Sequence, residues 1–245
     1  MRIAIVSDVH GNLTALEAVI ADVRQAAPDL VLHGGDLADG GSSPCEVVDR
    51  IRALGWRCVA GNGEEMLTDP GSLASFAARS PDRLQPLFAA VAEMAAATRA
   101  QLGDQRLAWL RTLPSFLIRP PLALVHATPE SLWRGPPHDA ADAELQSEFG
   151  PLDQPVAVYS HIHRPFVRTV PGMSSPQLIV ANSGSVGMPY DGDRRAAWLL
   201  LDGLKATIHR VEYDIDREVK ALAVCGFPHA NWTARMLRSA RFEMP

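Results

Sequence analysis

Apolar runs rich in branched residues alternate with stretches of helical period at the start of the chain. Residues 2–7, RIAIVS, read as a strand followed by turn chemistry. Residues 12–26, NLTALEAVIADVRQA, put Leu13, Leu16, Val19, Ile20 and Val23 on one helical face, with Asn12 available as N-cap. DLVLHG predicts a second strand, and SPCEVVDRIRALG a second helix with Ser43 as a candidate cap and Pro44 in its first turn. WRCVA is the third strand. A β-α-β-α-β alternation of this kind predicts a parallel sheet covered by helices.

Residues 70–113 change character. ASFAARS, LFAAVAEMAAATRAQL and RLAWLRTL are rich in Ala and Leu, which predicts two or three helices inserted as a cap, or packed as ordinary outer helices. Beyond Pro114 the pattern returns to strands: FLIRPPLALVHA, PVAVYSH, PFVRTV, QLIVANSG, AAWLLLD and KATIHRVEYD. Short connections, Asp202-Gly203 among them, predict a mostly antiparallel second sheet. Residues 215–240 close the chain as helix, broken near GFPHAN. The simplest organisation is one domain over residues 1–245, with a cap-like helical insertion at about 70–113.

Composition narrows the class without naming it. The 245 residues are 47% hydrophobic and 21% charged, ordinary for a globular protein. A net charge of −5 and a pI near 5.9 give no basic footprint for nucleic acid, and the short basic run ARMLRSAR reads as a solvated helix face. Cys45, Cys58 and Cys225 are odd in number and widely spaced, so they read as reduced thiols rather than a disulfide frame or a zinc knuckle. MRIAIVSDVH enters a strand at once, without the basic and apolar regions of a leader, and no apolar run reaches eighteen residues. The expectation is a cytoplasmic protein with no membrane partner.

Chemistry enters at the strand ends. Metal-capable side chains directly follow apolar strands in SDVHGN (Asp8, His10), HGGDLAD (Asp36), AGNGEE (Asn62), LVHATPE (His126) and YSHIHRPF (His161, His163). One such residue is commonly a cap or a satisfied core group. Several strands ending at one sheet edge would gather two carboxylates, one amide and four imidazoles into a common crevice. Burying them without partners would cost several kcal/mol. Seven donors exceed one closed structural zinc and suit two divalent ions with a bridging carboxylate. Mixed imidazole and oxygen donors without thiolate favour Mn, Fe, Zn, Ni or Co over Mg or Ca. Gly11, Gly34, Gly35, Gly61 and Gly63 let the backbone turn and approach such a centre closely.

In this order the residues resemble the calcineurin-like metallophosphoesterases, whose motifs run D-x-H, G-D, G-N-H-D/E, H and G-H-x-H. Here they read Asp8-Val-His10, Gly35-Asp36, Gly61-Asn62-Gly63-Glu64, His126 and Ser160-His161-Ile-His163. NSGSVGMPYDGDRRAAWLLLD is similar to the corresponding segment of the small bacterial and archaeal phosphodiesterase branch. The resemblance implies an α/β (α+β) fold of two facing β-sheets flanked by helices, an αββα sandwich. It implies one ion on Asp8, His10, Asp36 and His163, and a second on Asp36, Asn62, His126 and His161, with manganese favoured. It implies a phosphate-ester substrate attacked by a metal-bridging hydroxide, Asp36, Asn62 and His161 being central to catalysis. Many bacterial proteins of this type form small homo-oligomers.

Three positions depart from the motifs. Ser160 and Ala127 stand where glycine is usual, and both leave the neighbouring histidines intact. Gly63 stands where most of the superfamily has a histidine assigned to the leaving group or the phosphate. General-acid help is typically worth 10²–10⁴-fold, so its loss favours phosphodiesters over esters with poorer leaving groups. Glu64, His138 and His33 are replacement candidates by residue type, against ordinary surface or strand-end roles. Asn12 is either a substrate contact or only a cap. Arg134, and likewise Arg194 or Arg195, either grips phosphate oxygens or is solvated. His209 and His229 carry no assigned role. A dinucleoside polyphosphate hydrolase, a phosphomonoesterase or protein phosphatase, and a scaffold such as the retromer subunit of this fold are the competing readings.

Overall fold

The computed structural model describes residues 1–171 and 177–245. Its first sheet is five-stranded, in the order β10-β9-β1-β2-β3, from β1 (Arg2–Val6), β2 (Leu30–His33), β3 (Arg57–Cys58), β9 (Ala196–Asp202) and β10 (Lys205–Val211). The second, in the order β4-β5-β6-β8-β7, is built from β4 (Phe116–Arg119), β5 (Leu122–Val125), β6 (Val156–Tyr159), β7 (Phe166–Val170) and β8 (Leu178–Asn182). The sheets face each other. Ile3, Ile5, Leu32, Val59, Leu199 and Leu201 from one side meet Leu122, Leu124, Val156, Val158 and Ala181 from the other.

Helices cover both outer faces, completing the αββα sandwich. Ala4, Val6 and Trp198 on the back of the first sheet pack against α1 (Leu13–Ala26) and α2 (Pro44–Leu54), whose Leu16, Val19, Ile20, Val48 and Ile51 are buried there. Val125, Ala157, Tyr159 and Val180 on the back of the second sheet pack against Leu145 and Phe149 of α6 (Asp142–Phe149). Both faces of each sheet are covered, which is why strands such as LALV and VAVY are apolar throughout instead of alternating.

The expected parallel run is present: β1 pairs with β2 and β2 with β3, both in parallel. The expectation of a mostly antiparallel second sheet is corrected. β5–β6 and β6–β8 are parallel, while β4–β5 and β7–β8 are antiparallel. β9 and β10 belong to the first sheet, where β9 runs antiparallel to β1. The cause is connection length. The segment between β5 and β6 holds α6 and can cross over to a parallel neighbour, whereas local turn signals do not say which distant strand lies alongside.

Asn12 caps α1, its Oδ1 accepting from the Ala15 N–H at 2.9 Å, whereas Ser43 precedes α2 without a side-chain cap bond. α3 (Asn62–Thr68), which the sequence pattern did not signal, starts directly at the Gly61-Asn62 turn. Within residues 70–113, α4 (Pro70–Ala77) precedes α5 (Gln85–Leu110), which bends at Gly103 (φ 66°, ψ 172°). Ala95, Leu102, Leu107 and Leu110 of α5 are buried in the same core as α1 and α2. α7 (Ile215–Val224) and α8 (Ala230–Ser239) close the chain. Among the described residues no helix is long and apolar enough to cross a membrane.

Candidate metal centre

Parallel strands deliver the loops to one edge. Asp8 and His10 follow β1, Asp36 follows β2, Asn62 opens α3 beyond β3, His126 follows β5, and His161 and His163 follow β6. Backbone hydrogen bonds lace these loops together. The Asp8, His10 and Gly11 N–H groups donate to the carbonyls of Gly35, Asp36 and Leu37, and Ser160 N–H donates to the His126 carbonyl at 2.8 Å. Ser185 Oγ and the Gly187 N–H both donate to the Asp8 carbonyl, so the loop after β8 clamps the first motif. Asp8, His10, Asp36, His161 and His163 all have positive φ, between 50° and 65°. Non-glycine residues rarely adopt this conformation outside sites where the surroundings enforce it.

The side chains converge. His10 Nε2 and His163 Nε2 are 3.1 Å apart, and Asp8 Oδ1 stands 3.3 Å from His163 Nε2. Asn62 Oδ1 lies 3.0 Å from His126 Nε2 and 2.9 Å from His161 Nδ1. Asp36 joins the two groups. Its Oδ1 accepts the Gly63 N–H at 2.8 Å, leaving Oδ2 between His10 Nε2 at 3.7 Å and His126 Nε2 at 3.6 Å. The far nitrogens of three imidazoles are occupied. Nδ1 of His10, His126 and His163 faces the carbonyls of Asp39, Gly34 and Met188 at 2.9, 2.8 and 2.5 Å. Donating Nδ1–H to a carbonyl fixes the tautomer that presents an Nε2 lone pair, as metal-binding histidines do.

The donors fit divalent cations. Both carboxylate oxygens of Asp8 are fully buried without a hydrogen bond, which is costly unless a cation compensates. The trios Asp8–His10–His163, Asp8–Asp36–His126 and His10–Asp36–Asp39 each bring ligand atoms within 4.8 Å of one another. Electrostatics agree. Burial raises the Asp36 carboxyl well above the usual range, and the neighbouring Asp39 adds to this. Burial works against a charged His10, yet Asp39, Asp36 and Asp8 together push it up to about 10. Burial, with His126 beside it, pushes His161 down to about 3, leaving a neutral imidazole.

Gly35 and Gly63 show why glycine is required here. Gly35 has φ +95°, and a Cβ on it would stand 2.7 Å from the Gly61 nitrogen. A Cβ on Gly63 would stand 2.3 Å from Asp39 Oδ1. Asp39 is the residue that motif reading missed. Its only sequence signal is a second aspartate three positions beyond Asp36.

The remaining candidates lie elsewhere. Asn12 is buried, its Oδ1 spent on the helix cap and its Nδ2 donating to the Gly187 carbonyl, and it does not line the cavity bordered by His10, Asp36, Asn62, His161 and His163. Arg134 lines a neighbouring cavity, its guanidinium 5.5 Å from the Phe76 ring centre. Arg194 and Arg195 border a third cavity, where Arg195 pairs with Asp193. Among the replacement candidates, Glu64 is buried and turned to the backbone. It accepts the N–H groups of Asp36, Leu37 and Gly61 at 2.7–2.8 Å. His33 accepts the Gly35 N–H within the sheet, and His138 is an exposed side chain beside Asp139.

The chain is 28% identical over 233 residues to an uncharacterized protein of Methanocaldococcus jannaschii, covering 88% of this chain and 89% of that one. The crystal structure of a metallophosphoesterase from Sphaerobacter thermophilus superposes with a TM-score of 0.78 at 28% identity, over 98% and 99% of the two chains. A hypothetical protein from Pyrococcus horikoshii shares the fold with a TM-score of 0.80 at 18% identity, over 96% and 97%. The sequence profile of the calcineurin-like phosphoesterase superfamily domain matches residues 1–203, and the chain belongs to that superfamily.

Proposed function

We propose that this protein hydrolyses phosphodiesters with two divalent transition-metal ions, manganese favoured. In this reading Asp8, His10, Asp36 and His163 hold one ion, and Asp36, Asn62, His126 and His161 hold the other. The observation that carries it is the meeting of seven side chains from five strand ends, with Asp36 Oδ2 midway between His10 and His126. Such ions, when bound, supply Lewis acidity toward phosphoryl oxygens and a nucleophilic water at neutral pH.

The chain's own residues do the rest. The carbonyls behind His10, His126 and His163 hold three imidazoles in the ligating tautomer. Glu64 fastens the backbone of Asp36 and Leu37 to Gly61, and so holds the two central motifs in register. Gly63 has no side chain to protonate a leaving group, and none of Glu64, His33 and His138 lines the cavity. Hydrolysis should therefore be best where the leaving group needs no proton.

The test is hydrolysis of bis-p-nitrophenyl phosphate beside p-nitrophenyl phosphate, with and without Mn²⁺, in the wild type and in Asp36→Asn. Metal-dependent cleavage of the diester, weak on the monoester and lost in the variant, is expected. Faster cleavage of the monoester, or activity indifferent to metal, would sink the reading.

A further inference from the structure

A cavity of about 360 Å³ opens directly on the metal-site residues His10, Asp36, Asn62, His161 and His163. Its remaining wall is almost entirely apolar. Phe76, Phe88, Val91 and Met94 come from the 70–113 insertion, Trp133 from the loop after His126, and Met236 from α8. Phe76 stacks on Trp133 (4.9 Å, 24°) and meets Phe88 edge-on at 5.8 Å, so the aromatic side of the wall is already assembled. Methionine thioethers elsewhere in the wall adapt to the shape of an apolar guest.

Charge decides what can enter. Among the described residues, no lysine or arginine lines this cavity. Its charged groups beyond the histidines are the carboxylates of Asp36 and Asp39, and Asp39 Oδ1 is buried with no partner. The Arg134 guanidinium lies over Phe76 but borders a different cavity. Beyond the ions themselves, a polyphosphate arm would lose its hydration here, meet no cationic side chain, and approach the unpartnered Oδ1 of Asp39. An uncharged hydrocarbon group would lose nothing polar and bury its surface against Phe, Met and Trp.

We propose that the substrate carries a single phosphate and an apolar alkyl or aryl substituent that this cavity houses. The proposal rests on the phosphodiesterase reading above and gives the 70–113 insertion a role as the specificity wall. Dinucleoside polyphosphates are excluded as preferred substrates.

Monomethyl esters of methyl-, propyl-, pentyl- and phenylphosphonic acid test it. They would be titrated calorimetrically into the metal-loaded protein and run as competitors of bis-p-nitrophenyl phosphate hydrolysis. Affinity should rise about fourfold for each added methylene, and fluorescence of the wall residues Trp133 and Trp232 should change on binding. The phenyl ester against the pentyl ester distinguishes an aryl from an alkyl substituent. Leu87→Glu, at a half-buried position in the wall, should flatten the series. Affinity independent of chain length, or tighter binding of diadenosine tetraphosphate than of the pentyl ester, would overturn the proposal. Hydrolysis with a flat series would defeat it while leaving the phosphodiesterase reading intact. Length-dependent binding without hydrolysis of any ester would keep the apolar cavity and defeat that reading instead.

Discussion

Gly63 and Asp39 share one space: a Cβ on Gly63 would stand 2.3 Å from Asp39 Oδ1 and 2.8 Å from Asp36 Oδ1. Asp39 is not free to swing away, because its Oδ2 is 3.2 Å from His10 Nδ1. The position where the resembled family motif has a histidine is therefore closed in this chain by a neighbouring carboxylate. Gly63 lies within α3, where alanine would ordinarily stabilise by about 0.5–1 kcal/mol. Gly63→Ala should instead lower the melting temperature. In an Asp39→Ala background the same change should cost less, with only the 2.8 Å approach to Asp36 Oδ1 left to relieve. A double-mutant cycle by thermal unfolding should give a coupling of about 1 kcal/mol or more; simple additivity would deny the clash.

Loss of the central carboxylate should separate folding from metal binding. Asp36 is buried among acidic neighbours that raise its pKa, so Asp36→Asn should cost the metal-free protein little. The wild type should gain about 2.7 kcal/mol of stability at a hundredfold excess of Mn²⁺ over Kd. Asp36→Asn should lose most of that gain. Melting curves with and without the ion decide it; equal stabilisation of both proteins would remove Asp36 from the centre.

Protons and metal should compete. His10, pushed up to about 10, holds a proton in the metal-free site at pH 7, and Asp36 is raised as well. A ligand must shed its proton to bind, so Mn²⁺ affinity should strengthen as pH rises from 6 to 9. Binding heats should depend on the ionisation enthalpy of the buffer. Without metal the sign reverses. A histidine raised above its unfolded value of about 6.5 stabilises the fold below that pH and loses this contribution as pH climbs toward about 10. The metal-free melting temperature should fall over that window, and His10→Gln should blunt the fall.

Glu64 is a positioning residue, and its substitution should show that signature. Three backbone N–H groups end on its two oxygens, which are buried. Glu64→Gln turns an NH₂ group toward at least one of those donors. A loss of about 2–3 kcal/mol is expected, together with weaker Mn²⁺ binding. A variant that stayed fully stable while losing only turnover would instead mark Glu64 as a proton donor.

The sequence by itself determined the local terms of this protein. Branched apolar runs, helical period and turn residues located β1, α1, β2 and α2, because each signal lies within a few residues of chain. Asp8, His10, Asp36, Asn62, His126, His161 and His163 were legible for the same reason: each directly follows a strand. Tertiary structure decided whatever depends on which distant segments lie together. β9 crosses from the far end of the chain to pair with β1, and no periodicity encodes that partner. Asn12 is spent on its own helix and the Gly187 carbonyl, and Arg134 rests over Phe76. Gly63 announced a missing side chain, but only packing disclosed that Asp39 fills the gap. The apolar wall over the candidate metal centre joins α3, α4, α5, Trp133 and α8, and burial is a property of that assembly rather than of any one stretch.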